Sequence, residues 1–175
     1  MILDLTDVGS CENKEITKEV AIELTSFDSK LGTYSFLEKK PFELHIVNQE
    51  NKQMLISGET DVVIAIPCDR CLEDVPTEFH LTFDKKIPLE NGEASEDEEE
   101  EDAEYMIGFN LDVDRLVYNE ILVNWPMKVL CKEDCKGICK KCGTNLNQHD
   151  CDCTKSELDP RMAAIQDIFN KFKEV

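Results

Sequence analysis

Six of the nine cysteines fall within residues 131–153, CKEDCKGICKKCGTNLNQHDCDC, and no other stretch limits the fold as tightly. Four of them form a clip, Cys139-x-x-Cys142, an eight-residue loop, and a second clip, Cys151-x-Cys153. Two short clips joined by a loop suit a tetrahedral four-thiolate site, because each clip offers two sulfurs to one ion while the loop turns the chain round. Gly143 directly follows the first clip, where a turn around a metal often needs a residue free to take positive φ.

The other two, Cys131 and Cys135, are separated by three residues, so one helical turn would point both sulfurs the same way. They have no mates nearby. Far upstream stands another orphan clip, Cys68-Asp69-Arg70-Cys71. Joining the orphan pairs gives a second four-thiolate site that ties residue 68 to residue 135. Mixed pairings stay open, with His149 as a substitute ligand, and Cys11 is left over as a bystander. Disulfides are not expected in a reducing compartment, and Cys151-x-Cys153 is too tightly spaced for an easy internal bridge. A thioredoxin-type clip would need a βαβ setting that the flanking sequence lacks. A catalytic zinc would keep three protein ligands and an open position, usually with histidine or a carboxylate, so eight thiolates point to one or two closed, structural Zn2+ sites.

At 175 residues, 41% of them apolar, the chain can build one moderate domain or two small lobes sharing a core. MILDLTDVGSCENKE carries charges from the start, and nowhere do eighteen apolar residues follow one another, so a soluble cytoplasmic protein with no membrane contact is expected. The net charge of −19 is unevenly spread. Residues 1–125 hold 10 basic against 30 acidic side chains, and residues 126–175 hold 9 against 8. Such acidity disfavours general nucleic-acid binding, which relies on neutralising phosphates, and suits basic protein partners; it also serves plain solubility.

Residues 19–26 alternate Val20, Ile22 and Leu24 against glutamates, as a strand with one buried face does. Residues 42–48 repeat the pattern with Phe42, Leu44 and Ile46. Met54 and Ile56 lead through Gly58 to Val62, Ile64 and Ile66, a long strand bent or bulged at the glycine. It runs into Pro67 and the first clip, after which Phe79, Leu81 and Phe83 resume the alternation, so a hairpin whose tip carries two sulfurs is expected. His45 and His80 fall on polar faces. With no His/Asp/Ser set, phosphate loop or carboxylate dyad in a recognisable setting, nothing argues for catalysis.

Nine of the twelve residues in 93–104 are acidic, which predicts a disordered loop, read either as a polyanion mimic or as a tolerated insertion. Tyr105, Ile107 and Phe109 suggest a strand. Asp112 can cap a helix with Leu116, Val117, Ile121 and Leu122 at helical spacing, stopped by Pro126, with Trp125 as a core anchor at the junction. Asp159-Pro160 opens a final helix whose apolar stripe includes Met162, Ile165, Ile168, Phe169 and Phe172. The fold class expected is α+β: an antiparallel β-sheet or partial barrel with a short central helix, a cysteine-rich zinc knob and a C-terminal helix. Within one folding unit, the parts are a β-rich lobe (1–90), an acidic loop (91–104), a strand and helix (105–130), the cysteine-rich region (131–155) and the last helix (156–175).

The order of these motifs, C-x-R-C-L at Cys68, Arg70, Cys71 and Leu72, then C-K-G-I-C-x-x-C-G-x-N-L-N from Cys135 to Asn147, then C-x-C and D-P-R, resembles the YceD family, the large ribosomal RNA subunit accumulation proteins. The match covers most of 55–172; residues 1–40 fit loosely, and the acidic run is not part of the shared pattern. The resemblance implies a non-enzymatic bacterial factor for accumulation of large-subunit rRNA, active in ribosome assembly or rRNA protection. Its partner would be the large-subunit precursor, reached through a basic ribosomal protein, rRNA or both. Lys136, Lys140, Lys141, Asn145, Asn147 and Arg161 are the candidate partner contacts. The lysines equally suit a second role, balancing thiolate charge. The competing class, resting on cysteine count alone, is a thiol-based redox or metal-responsive protein.

Overall fold

The computed structural model describes residues 1–30, 32–90, 93–94 and 105–153. The expected C-terminal helix with Arg161, and the acidic run apart from Glu93 and Ala94, lie outside the described residues. The fold is α+β, mostly antiparallel sheet, with two helices among the described residues. Its spine is the pair β6 (Gln53–Pro67) and β7 (Asp74–Glu90), in register from Gln53 opposite Pro88 to Pro67 opposite Asp74. Alternation decides which face is buried: Met54, Ile56, Val62, Ile64 and Ile66 on β6 face the core with Phe79, Leu81, Phe83, Ile87 and Leu89 on β7. Each fully buried side chain of this kind contributes about 1.5–3 kcal/mol.

The other edge of β6 is taken by β4 (Gly32–Lys39) and then β5 (Phe42–Gln49), which run one after the other and are separated by Lys40-Pro41. Outside β5 lies β2 (Glu15–Val20), and outside β4 lies β3 (Ser26–Ser29), which completes a seven-stranded sheet with β7 and a short β8 (Glu93–Ala94). A smaller three-stranded sheet joins β1 (Ile2–Asp4) to β10 (Asn110–Asp112) and β9 (Met106–Ile107). The short helix α1 (Thr6–Gly9) follows β1, and α2 (Val113–Val123) packs Val113, Leu116, Val117 and Ile121 into the core. Asp112 caps α2, its Oδ1 accepting from the amides of Asp114 at 3.1 Å and Arg115 at 3.3 Å. Lys85 on β7 meets Glu120 on α2 at 3.3 Å. Among the described residues no helix is long and apolar enough to cross a membrane.

Several expectations are corrected. The strand read at 19–26 is β2, which starts at Glu15 and ends at Val20. Val20 and Ile22 stay buried, but the amides of Glu23 and Leu24 leave the ladder and donate to Asp114 Oδ1 at 2.8 and 3.3 Å. Gly58 is not a bulge in the β6–β7 ladder, which keeps register through it; the β5 ladder ends there, with Leu44 opposite Gly58. Its role is clearance: a Cβ there would stand 2.7 Å from the carbonyl oxygen of Glu43. The single strand expected from Tyr105 to Phe109 is a tight hairpin turned at Gly108 (φ 58°), with Met106 buried and Ile107 exposed. Leu122 is exposed rather than on the buried stripe. Trp125 does anchor the core, stacked on Phe27 with ring centroids 5.1 Å apart and against Tyr34 and Phe79.

Candidate metal centre

The turn between β6 and β7 is a compact knuckle. The amide of Cys68 donates to the carbonyl of Glu73 at 2.8 Å, and the amide of Leu72 donates back to the carbonyl of Cys68 at 2.9 Å. The same pair recurs in the C-terminal stretch, where Cys139 N–H donates to Thr144 O and Gly143 N–H to Cys139 O, each at 2.9 Å. Both knuckles place the residue after the second cysteine in the left-handed region, Gly143 at φ 73° and Leu72 at φ 62°. Glycine takes that conformation freely; for Leu72 it costs about 1–2 kcal/mol.

The chain after α2 is tied to the first knuckle by five hydrogen bonds. Asp69 N–H donates to Val129 O at 2.9 Å while Val129 N–H donates to Asp69 Oδ2 at 2.8 Å. The Arg70 guanidinium donates to the carbonyls of Cys135 at 2.9 Å and Glu133 at 3.3 Å. The amide of Ile138 donates to Arg70 O at 3.0 Å, and Gly137 passes so close that a Cβ would sit 2.9 Å from that oxygen. These links carry Cys131 and Cys135 to the hairpin tip. Residues 131–135 form a turn rather than the helical turn expected, with Cys135 N–H donating to Lys132 O at 3.1 Å.

Two groups of four sulfurs result, Cys68, Cys71, Cys131 and Cys135 in one and Cys139, Cys142, Cys151 and Cys153 in the other, each with all its sulfurs within 4.8 Å of one another. In the first, Cys68 and Cys135 are 3.9 Å apart and Cys71 and Cys131 are 3.5 Å apart. A tetrahedron of sulfurs about 2.3 Å from a central zinc has edges of about 3.8 Å, whereas a disulfide needs about 2.05 Å. Both cages could hold a metal ion. A closed set of four thiolates suits a structural ion and leaves no protein-free position for substrate. His149 belongs to neither group, and Cys11 is exposed and apart from both.

The thiols are strongly polarised. Burial would raise Cys68, but backbone amides around it, from Arg70, Cys131 and Cys71, bring it down to about 6. Cys71 receives a backbone hydrogen bond near Glu73, yet burial and the three facing sulfurs push it up to about 12. In the second cage the Thr144 hydroxyl and amide lower Cys142 to about 6, while Cys142 itself pushes Cys153 up to about 12. Asn147, from the loop closing the second cage, points its Nδ2 at Cys135 Sγ in the first, 3.2 Å away, and lowers that thiol.

Of the candidate partner contacts, Lys136, Lys140 and Lys141 are exposed on the C-terminal knob. Asn145 and Asn147 are engaged internally: Asn147 Oδ1 accepts from Lys136 N–H at 2.9 Å, and Asn145 Oδ1 accepts from Asn147 N–H at 2.9 Å and from its Nδ2 at 3.0 Å. Sequence reasoning missed Asp69 and Arg70 as fasteners; two polar residues inside a clip were the available signal. Over β5, β6 and β7, a cleft of about 910 Å³ is lined by Glu43, Glu59, Asp61 and Asp84, with Lys40 and the apolar Phe42, Leu81 and Phe83 beside them, and by His45 and His80, both exposed as expected.

The family model described as "Large ribosomal RNA subunit accumulation protein YceD" matches residues 56–169. The chain belongs to the YceD family. Similar proteins include YlbN of Bacillus subtilis, 27% identical over 153 residues that cover 87% of this chain and 85% of YlbN. ML1660 of Mycobacterium leprae is 22% identical over 127 residues, 70% of this chain and 56% of the relative. The chloroplastic "Large ribosomal RNA subunit accumulation protein YCED homolog 1" of Arabidopsis thaliana is 26% identical over 139 residues, 65% of this chain. The chain thus spans most of YlbN, but about half of ML1660 and 43% of the plant protein. No solved structure matches. The YceD match begins inside β6 and takes in both cysteine cages.

Proposed function

We propose that this protein is a non-enzymatic cytoplasmic factor required for accumulation of large-subunit rRNA, acting in ribosome assembly by binding a basic ribosomal protein, rRNA or both. The observation that carries this reading is the YceD match across the hairpin and both cysteine cages. Zinc is the ion we assign to the cages, on the grounds of four thiolates each and sulfur separations near the tetrahedral edge. When bound, it would supply the cross-link that holds 131–153 rigid against the hairpin tip. The residues do the rest: Asp69, Arg70 and Gly137 seat the segment, and Lys136, Lys140 and Lys141 face outward where a few phosphates would be neutralised. The acidic cleft over β5, β6 and β7 offers a complementary seat for a basic protein.

Depletion of the protein in its host, with large- and small-subunit rRNA quantified and particles resolved by sedimentation, tests the reading. A fall in the large-to-small rRNA ratio is the result that supports it; an unchanged ratio rejects it. Lys140→Glu with Lys141→Glu isolates the RNA contact. Loss of co-sedimentation with pre-ribosomal particles, with zinc content and folding intact, supports that contact, and unchanged co-sedimentation removes it. A thiol-redox role is the second reading, and Cys142, exposed with its pKa lowered to about 6, is the observation in its favour. Metal-free, readily oxidised thiols in the purified chain would decide for it.

A further inference from the structure

The loop from Cys142 to Cys151 closes the outer cage, yet one of its side chains reaches the inner cage. Asn147 stands with Nδ2 3.2 Å from Cys135 Sγ, and its Oδ1 accepts the amide of Lys136, the residue following that cysteine, at 2.9 Å. Its position is set by the outer loop: Leu146 N–H donates to Gly137 O at 2.8 Å, Asn145 bridges Ile138, and Asn145 Oδ1 holds Asn147 from both its backbone and its carboxamide. The intervening segment Lys136-Gly137-Ile138 is fixed to the first knuckle through Arg70 O. An N–H donor on a metal-bound thiolate offsets its negative charge and orients it, and outer-sphere partners of this kind typically carry about 10–100-fold in metal affinity. Four thiolates around one divalent ion leave two excess negative charges, so the donor acts where charge is least balanced.

We infer that Asn147 is a positioning residue that links the two cages, so that metal in the outer cage, by ordering its loop, tightens metal in the inner one. The inference rests on zinc occupying both cages, as proposed above. Linkage is reciprocal: inner metal orders Cys135 and Lys136, and so raises the affinity of the outer cage by the same factor. The outer cage, with Cys142 exposed and the other three half-buried, is more open to exchange than the inner one, where Cys131 is exposed but Cys68, Cys71 and Cys135 are buried.

The experiment is zinc competition against a chromophoric chelator on the full chain, comparing wild type, Asn147→Ala, Asn147→Asp, the outer-cage knockout Cys139→Ser with Cys142→Ser, and the knockout combined with Asn147→Ala. Coupling predicts that inner-cage affinity falls about 10-fold in Asn147→Ala and by a similar factor in the knockout, with little further loss in the combination. Asn147→Asp keeps the acceptor for Lys136 and removes the donor to sulfur, so it should weaken the inner cage as well. Cadmium NMR of the inner site should shift in every variant that lacks the contact, a signature that loss of loop packing alone would not give in Asn147→Asp. Inner affinity unchanged in the knockout, or fully additive losses, overturns the linkage while leaving zinc in place. A wild-type chain that takes up no tight zinc overturns the metal reading and this inference together.

Discussion

Asp69 and Val129, sixty residues apart, are joined by two hydrogen bonds: the Asp69 amide donates to the Val129 carbonyl at 2.9 Å, and the Val129 amide donates to the Asp69 carboxylate at 2.8 Å. The tie fixes the residue two positions before Cys131 and so sets where the inner cage closes. Asp69→Ala should cost about 1.5–3 kcal/mol, the range for a hydrogen bond to a charged group, and should speed loss of metal from the inner cage. Asp69→Asn retains an acceptor and should recover part of both. Denaturant unfolding and chelator-driven release measure the two effects.

Metal removal should act on the C-terminal knob and spare the sheet. Hydrogen exchange after chelation is expected to show lost protection at the amides of Ile138, Cys139, Gly143 and Leu146, and retained protection along β6 and β7. Uniform loss across the chain would mean that the sheet depends on the metal.

Zinc uptake should release protons and weaken as pH falls. Cys71 and Cys153, held up to about 12 in the metal-free chain, bind protons at neutral pH that an ion must displace. Calorimetry in two buffers of different ionisation enthalpy reads the proton count, and apparent affinity should climb from pH 6 to pH 8.

His80 and Asp61 form an exposed pair 2.5 Å apart across β6 and β7, and the Asp61 carboxylate raises the His80 pKa above its ordinary value near 6.5. The folded pKa exceeds the unfolded one, so the pair's contribution is complete below about 6.5 and is lost as pH rises through the folded value. Asp61→Asn should return the NMR titration of His80 toward 6.5 and remove that pH dependence.

Gly58 is intolerant for a steric reason. Alanine there would drive a methyl into Glu43 O and Leu44 Cδ2, which lie 2.7 and 3.0 Å from the ideal Cβ. A loss of about 1–3 kcal/mol is expected, measurable by thermal or denaturant unfolding.

Period-two alternation made β5, β6 and β7 legible because each has one wet and one buried face, and Asp112 announced the start of α2 correctly. β3 and β4 were not found: two of their apolar residues, Phe27 and Tyr34, serve an aromatic cluster around Trp125 assembled from distant segments. The end of β2 depended on Asp114, a side chain some ninety positions away. At the cysteines, counting orphan clips led to the two groupings that the folded chain brings together, since metal-type spacing is a local signal. Asp69 and Arg70 were marked only by being polar residues inside a clip, and Asn147 by nothing local to its role, because composition does not tell which polar side chain will face a group contributed much later.

The reach from Cys68 to Cys135 spans 67 positions, and Cys71 to Cys131 spans 60. During synthesis the long hairpin is therefore finished with two bare thiols at its tip, and their mates are made only after most of the polypeptide has been translated. The newborn lobe must keep those sulfurs reduced and unclaimed through that interval, so an oxidant or a competing soft cation meeting the nascent chain would spoil the clamp before its second half exists.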